Sequence, residues 1–335
     1  MDILDQLNSQ LQKKYGKKKK FDTPQLLRGS ELPPVDWIPT GLLSYDYVNG
    51  GGGPRGKIEQ VHGRKSCGKT TLVLKRIAEA QRLGLKCAFV DAEHELDPEW
   101  AKLHGVKMDD LILHIPDGEP ADVTLEIVEG MLLSCEVDLI AVDSIPVLGT
   151  QEMLDKGMGD KHYAGIAGLM EMFYKKVVFS GVMYNSNAIL IFINQPRELI
   201  GSRIAMERLP GGRALQHMSN IITKVKRGDF LIRKVGDEEE KIGVEVKMIN
   251  EKNKVRRPFR ESTARLQFDR GFNPLWEVIL FGQKYEIIEK SGTWLYYGDT
   301  QLGQGVDQAM AFLIDNADIF VEIKKEVQEQ ILKGR

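Results

Sequence analysis

The sequence is short of the features that mark several large classes of protein. Its three cysteines, Cys67, Cys87 and Cys135, form no Cys-x-x-Cys pair. Neither a zinc knuckle nor a disulfide framework fits them, and a reducing, cytoplasmic setting is expected. No apolar run approaches the roughly 20 residues that a membrane-spanning helix needs. The first residues mix charged and apolar side chains, unlike a secretory leader. A dominant charge is also missing, since 46 Lys and Arg stand against 48 Asp and Glu, a net charge of −2. Nucleic acid binding by such a chain has to rely on locally basic surface.

The 335 residues suggest about two domains at about 150 residues each. Hydrophobic residues at 42% and charged residues at 28% are ordinary for a soluble globular protein and exclude disorder of the whole chain. Ile3, Leu4, Leu7, Leu11 and Tyr15 recur at spacings of three and four. They predict a short amphipathic helix that packs either on the chain's own core or on a neighbouring subunit. Lys13, Lys14 and Lys17 to Lys20 form either a solvated linker or a contact to DNA or a partner. Residues 21–40, with Pro24, Pro33, Pro34 and Pro39, read as a linker or extended arm.

The chain then becomes regular. Strands are expected at 57–62, 86–91, 111–115, 137–143 and 187–194, with helices at 68–83, from Pro98, at 121–134 and at 162–184. Nearly continuous apolar strands alternating with helices indicate an α/β fold, a mostly parallel sheet covered on both faces. Beyond Asn220, strands at 221–227, 243–249 and 264–268 predict antiparallel pairing at one edge. From about 270 a mixed and then helical segment, including Met310 to Leu313 and Ile319 to Leu332, suits a small C-terminal domain.

Gly63-Arg-Lys-Ser-Cys-Gly-Lys-Thr70 fits Gly-x-x-x-x-Gly-Lys-[Ser/Thr] between an expected strand and an expected helix. Glycines let successive backbone N–H groups converge on one anion, and the helix N-terminus adds about half a positive charge. Lys69 reaches toward β- and γ-phosphates, and the Thr70 hydroxyl suits Mg²⁺. Asp143 ends the strand at 137–143 and faces the ligand crevice expected there. It stands as a Walker B aspartate, supporting Mg²⁺ through water. Glu93, just after the neighbouring strand, is placed to orient or deprotonate an attacking water.

These segments, with Asp91-Ala-Glu-His-Glu-Leu-Asp-Pro98, Val142-Asp-Ser144, Phe192-Ile-Asn-Gln195 and Pro210-Gly-Gly-Arg-Ala-Leu215, resemble RecA-type recombinases in order and spacing. Pro39 to Asp46, Glu289 to Tyr296 and Gly303-Gln-Gly305 extend the likeness to residues 35–330. The resemblance implies a RecA-like P-loop ATPase core at 35–269, an N-terminal helix and arm for subunit contacts at 1–34, and a small α+β C-terminal domain at 270–335. It implies an ATP- and Mg²⁺-dependent filament on single-stranded DNA that pairs with homologous duplex and exchanges strands. DNA-dependent ATP hydrolysis in the cytoplasm is implied with it, with single-strand-binding and mediator proteins as further partners.

Carried over residue by residue, Gly63, Arg64, Lys65, Ser66, Cys67, Gly68, Lys69, Thr70 and Thr71 bind ATP, with Asp97 and Trp100 beside them. Trp100 takes the adenine-stacking place. Glu93 activates water, Gln195 senses the γ-phosphate, and Lys252 and Lys254 reach ATP on the adjacent subunit. Two loops, about 149–163 and 196–211, hold DNA through Tyr163, Arg197, Ile200, Gly201, Arg203, Gly211, Gly212 and Arg213.

The chain departs from this pattern in four places. Cys67 replaces the usual serine, and the P-loop helix and lysine are expected to lower its pKa and make it reactive. Pro196 stiffens the segment after Gln195. His217 replaces a large apolar residue near the subunit contact. The sequence ends Ile-Leu-Lys-Gly-Arg335 without the acidic tail common in cellular relatives, which predicts less self-inhibition. Together the departures suggest a divergent member, of a bacteriophage type. A hexameric ring motor, a non-catalytic ATP-gated mediator and a small-molecule kinase are the competing readings. There is little room before Gly41 for the separate domain of a ring helicase. The set Lys69, Glu93, Asp143 and Gln195 argues against a non-catalytic protein, and no acceptor pocket marks a kinase.

Overall fold

The computed structural model describes residues 2–15, 25–155, 165–198, 207–236 and 238–334. Lys17 to Lys20 and Pro24 lie outside them. The chain divides into two units, Met1–Asp36 and Trp37–Arg335. In the first, the helix Ile3–Tyr15 leaves Ile3 and Leu7 exposed. Asn8 holds the returning chain by accepting from Leu26 N and donating to Leu26 O.

The second unit is built on a nine-stranded sheet. Its strands in chain order are β1 (Lys57–His62), β2 (Cys87–Asp91), β3 (Leu111–His114), β4 (Leu139–Asp143), β5 (Ile189–Asn194), β6 (Ile221–Val235), β7 (Glu238–Asn253), β8 (Glu261–Gln267) and β9 (Gly271–Phe272). Their spatial order is β9-β8-β7-β6-β1-β5-β4-β2-β3. The pairs from β6 through β3 are parallel, and the β6 to β9 edge is antiparallel.

Side chains alternate across this sheet as a pleat requires. Cys87 and Phe89 face the layer of the P-loop helix Lys69–Arg82, with Leu72 and Ile77. Ala88 and Val90 face the helices Ala121–Ser134 and Gly165–Phe179, with Val128 and Phe173. Each large apolar side chain fully buried in these layers contributes about 1.5–3 kcal/mol. The register sets Asp91 beside Asp143 and His62 beside Asn194, so four parallel strands deliver polar residues to one sheet edge.

A buried ion pair fixes the P-loop helix to the sheet. Arg76 donates to both Glu59 oxygens, at 2.8 and 2.9 Å, and the Tyr45 hydroxyl donates to Glu59 at 3.0 Å. Removing one member of such a pair costs about 3–5 kcal/mol.

The third core joins the helix Pro274–Lys284, a small sheet of Glu289–Ser291, Trp294–Tyr297 and Thr300–Gln304, and the helices Gly305–Asp315 and Ala317–Lys333. From it, Glu277 accepts the Leu43 and Ser44 N–H groups at the start of the helix Leu43–Asn49.

Three local expectations change. The helix expected over 162–184 is described from Gly165 and stops at Phe179, because Gly181 takes φ 76° before the short helix Val182–Asn185. The arm at 21–40 contains a strand, Trp37–Ile38, paired with Gly53–Pro54. The strand expected to stop at 227 continues to Val235 and returns as β7, a hairpin longer than its apolar pattern signals.

Candidate nucleotide and DNA site

The P-loop begins at the end of β1, where a Cβ on Gly63 would collide with the Val225 carbonyl oxygen and Cys67 Sγ. Only glycine allows β6 to pass this close. Lys69 Nζ donates to the Arg64 carbonyl at 3.0 Å, which holds the ammonium over the loop. The Thr70 hydroxyl donates to Asp143 Oδ2 at 2.5 Å. Glu93 reaches the same cleft through two contacts: its N–H donates to the Asp143 carbonyl at 3.2 Å, and its carboxylate accepts from the Ser144 hydroxyl. Lys65 to Thr71, Glu93, Glu95, Asp143 and Gln195 line one cleft of about 280 Å³.

Burial pushes the Asp143 carboxyl up to about 7, aided by Glu93 and Asp91 and opposed by Thr70 and Lys69. A buried carboxylate with two acidic neighbours favours an added cation. Among the described residues no group of three or more His, Cys, Asp or Glu is arranged to hold a metal. Thr70 and Asp143 nevertheless suit Mg²⁺, which commonly takes few protein oxygens and fills the rest of its shell with phosphate and water.

Trp100 stands next to this cleft. Its indole N–H donates to the Thr71 hydroxyl at 3.3 Å, and its ring meets His104 edge-on at 4.6 Å. Asp97 accepts from Glu99 N at 2.9 Å and so caps the short helix Pro98–Leu103. Asp91, passed over as a functional residue in the sequence, accepts the Glu95 and Leu96 N–H groups and shapes the loop that carries Glu93. Its signal was the carboxylate at the end of an apolar strand.

One expectation is corrected, the reactivity of Cys67. Cys67 is 2% exposed and packs inward against Gly63. Burial pushes its thiol up, with Lys69 opposing, which runs against the lowered pKa expected of this position. Arg64 lines a neighbouring cavity with Arg227 and Pro196. Its carbonyl accepts from the Lys69 ammonium.

Lys252 and Lys254 converge elsewhere within the chain. Lys252 Nζ donates to the carbonyls of Gln216 and His217, and Lys254 Nζ to that of His217 at 3.0 Å. They thereby neutralise the C-terminal carbonyls of the helix Gly212–Met218.

Of the DNA candidates, Tyr163, Ile200, Gly201 and Arg203 lie outside the described residues. Arg197 donates to the Pro146 carbonyl at 3.1 Å. Gly211 and Gly212 take φ 86° and 75°. A Cβ on Gly212 would stand 3.0 Å from Ala167 Cβ, so this glycine also admits the helix Gly165–Phe179. Arg213 is exposed and lines a groove of about 370 Å³ with Arg208 and Gln216. Arg208 was missed because it stands outside the Pro-Gly-Gly-Arg pattern; its basic charge beside Arg213 was the available signal.

The RecA N-terminal domain model matches residues 2–273, and the RecA C-terminal domain model matches 277–332. The RecA protein of Thermus thermophilus is 41% identical over 317 residues, covering 93% of this chain and 91% of that protein. That of Wolinella succinogenes is 42% identical over 315 residues, 92% and 87% of the two chains. That of Clostridium acetobutylicum is 38% identical over 333 residues, 98% and 92%. The crystal structure of the RadB recombinase shares the fold at a TM-score of 0.51 and 22% identity, covering 70% of this chain and 98% of the other. By its two matched domain models, these full-length relatives and its P-loop cleft, the chain belongs to the RecA family of ATP-dependent DNA recombinases.

Proposed function

We propose that the chain forms a helical filament on single-stranded DNA, hydrolyses ATP with Mg²⁺ at the P-loop, and pairs the coated strand with homologous duplex. The observation that carries this reading is the convergence of Lys69, Thr70, Glu93, Asp143 and Gln195 on one cleft. P-loop amides and Lys69 hold the phosphates. Mg²⁺, held by Thr70 and by Asp143 through water, would neutralise charge on the β- and γ-phosphates. Glu93, fixed by Ser144, orients the attacking water and accepts its proton. Trp100 offers a ring to the adenine. Gln195 reads the γ-phosphate and passes its state to the segment after it.

In the filament Lys252 and Lys254 leave the His217 carbonyl and enter the neighbour's site, where their charge promotes hydrolysis only after assembly. Arg197, Arg208, Arg213, Gly211 and Gly212 contact the DNA backbone, joined by Tyr163, Ile200, Gly201 and Arg203 of the same loops. Residues 1–34 serve subunit contacts, 35–269 form the ATPase core, and 270–335 form the small C-terminal domain. No described helix is long and apolar enough to cross a membrane. A cytoplasmic setting with single-strand-binding and mediator proteins as partners completes the reading.

Negative-stain electron microscopy tests it directly. The protein is mixed with circular single-stranded DNA and a slowly hydrolysed ATP analogue. Continuous helical coats that stretch the DNA are expected. Discrete six-fold rings, or bare DNA at low salt, would overturn the reading.

A further inference from the structure

His62 is the last residue of β1, directly before Gly63 of the P-loop. Its side chain is buried, with 4% exposed, and Nε2 donates to Glu251 Oε2 at 2.8 Å. Glu251 belongs to β7, with β6 lying between the two strands. This contact spans two strand spacings, roughly 9–10 Å of sheet. Within this pair, His62 Nδ1 finds no protein partner among the described residues. On β6 Lys224 stands 3.9 Å from Glu251. The His62 hydrogen bond, with Lys224 and Lys226, holds the Glu251 carboxyl below its usual range.

The reach depends on a bulge. Ile222 pairs with Lys252, but the next residue, Thr223, pairs with Asn250. Glu251 is therefore the extra residue, and a bulge of this kind re-aims a side chain. It also reverses side-chain parity along the rest of β7. Val246, Met248 and Asn250 face inward, with Asn250 donating to Asn49. After the bulge Asn253, an odd-numbered position, takes over the contact to Asn49. Lys252 is thereby turned to the other face, toward His217, and Lys254, just past the end of β7, reaches the same carbonyl. Without the extra residue Lys252 would share the inward parity of Asn250.

We infer that the His62–Glu251 hydrogen bond positions Lys252 and Lys254 relative to the P-loop of their own subunit, and so links consecutive ATP sites along the filament. A subunit's P-loop and the lysines it lends to its neighbour are held by one contact. Filling the first site then sets the geometry supplied to the second. The inference rests on the proposed role of the two lysines in the adjacent site, and His62 and Glu251 act as positioning residues.

The test uses the full chain and the variants Glu251→Leu, His62→Phe, the double variant, and Glu251→Gln, whose amide oxygen still accepts from His62. The readouts are kcat and the Hill coefficient for ATP in single-stranded-DNA-dependent hydrolysis, ATP affinity without DNA, and the urea midpoint. Each single disruption is expected to lower kcat about tenfold, the loss of one charge-assisted hydrogen bond, and to bring the Hill coefficient to about 1. ATP affinity without DNA stays within about twofold, Glu251→Gln keeps most of the activity, and the double variant is no worse than the poorer single. Unchanged kcat in Glu251→Leu, or losses that multiply in the double variant, would overturn the inference. The Lys252→Ala/Lys254→Ala variant separates the two ideas. If it loses DNA-dependent hydrolysis while Glu251→Leu does not, the link alone fails. If it retains full hydrolysis, the role of the lysines fails and takes the link with it.

Discussion

Thr70 and Asp143 share a 2.5 Å hydrogen bond that closes the P-loop against the end of β4. Asp143 in turn carries Glu93, because its carbonyl accepts the Glu93 N–H and Ser144 next to it donates to the Glu93 carboxylate. Phosphate binding and water activation thus hang on one strand end but through different atoms. Glu93→Gln keeps an acceptor for Ser144 and leaves the Thr70–Asp143 bond alone. It is expected to retain ATP binding and to lose about 10²–10⁴-fold in hydrolysis, the usual contribution of a positioned general base. Nucleotide-binding titration beside steady-state hydrolysis on single-stranded DNA checks this. A parallel loss of binding would remove Glu93 from the role of base.

Cys67 and Cys135 should differ in reactivity, opposite to what the P-loop position of Cys67 suggests. Cys67 is buried with its thiol pushed up, whereas Cys135 is exposed. A short maleimide treatment of the native protein is expected to label Cys135 first and to leave most of the ATPase activity. Peptide mass spectrometry reads the site. Preferential labelling of Cys67, prevented by ATP, would restore the sequence-based expectation.

The contrast shows what a sequence can and cannot convey. The P-loop, the ends of β2 and β4, and Gln195 were legible because backbone hydrogen bonding fixes where a strand end or a glycine turn points. The burial of Cys67 was not, because it rests on a core shared with Val225, from a segment about 160 residues away. The same holds for Glu277 capping the helix Leu43–Asn49. Glu251 was hidden for a different reason: a bulge reverses side-chain parity without leaving a mark in residue type. Helix and strand periods carried the sheet, but the break at Gly181 needed its backbone angle, since glycine also occurs inside helices.

Asp46 gives a pH dependence with a definite sign. Burial pushes its carboxyl up to about 7, against hydrogen bonds from Thr40. Between the ordinary aspartate range and about 7 the folded chain holds this proton and the unfolded chain does not. Its contribution therefore lowers stability as pH rises through that window, by at most about 1.4 kcal/mol per pH unit, and is flat above it. Asp46→Asn keeps an oxygen for Thr40 and removes the titration. The variant is expected to match the parent near pH 4 and to be the more stable at pH 8. Urea unfolding across this range measures it. An identical pH slope in both proteins would show that Asp46 titrates normally.

Arg208 and Arg213 line one groove beside Gly212, and both are exposed. Exposed guanidinium groups held on short, fixed elements suit phosphate oxygens, which position a strand without reading its bases. Arg208→Ala and Arg213→Ala are each expected to weaken single-stranded DNA binding to a similar degree on mixed and homopolymer sequences. Each should reduce the slope of log affinity against log salt by about 0.7, the release of one counterion. Fluorescence anisotropy over a salt series with ATP analogue present gives both numbers. Folding is unaffected in this account, because Arg213 and Arg208 are exposed and close no core, so unfolding midpoints should match the parent. A normal salt slope with weakened affinity would mean that the arginines act through loop structure instead of phosphate contact. Loss on one sequence only would mean that they read bases.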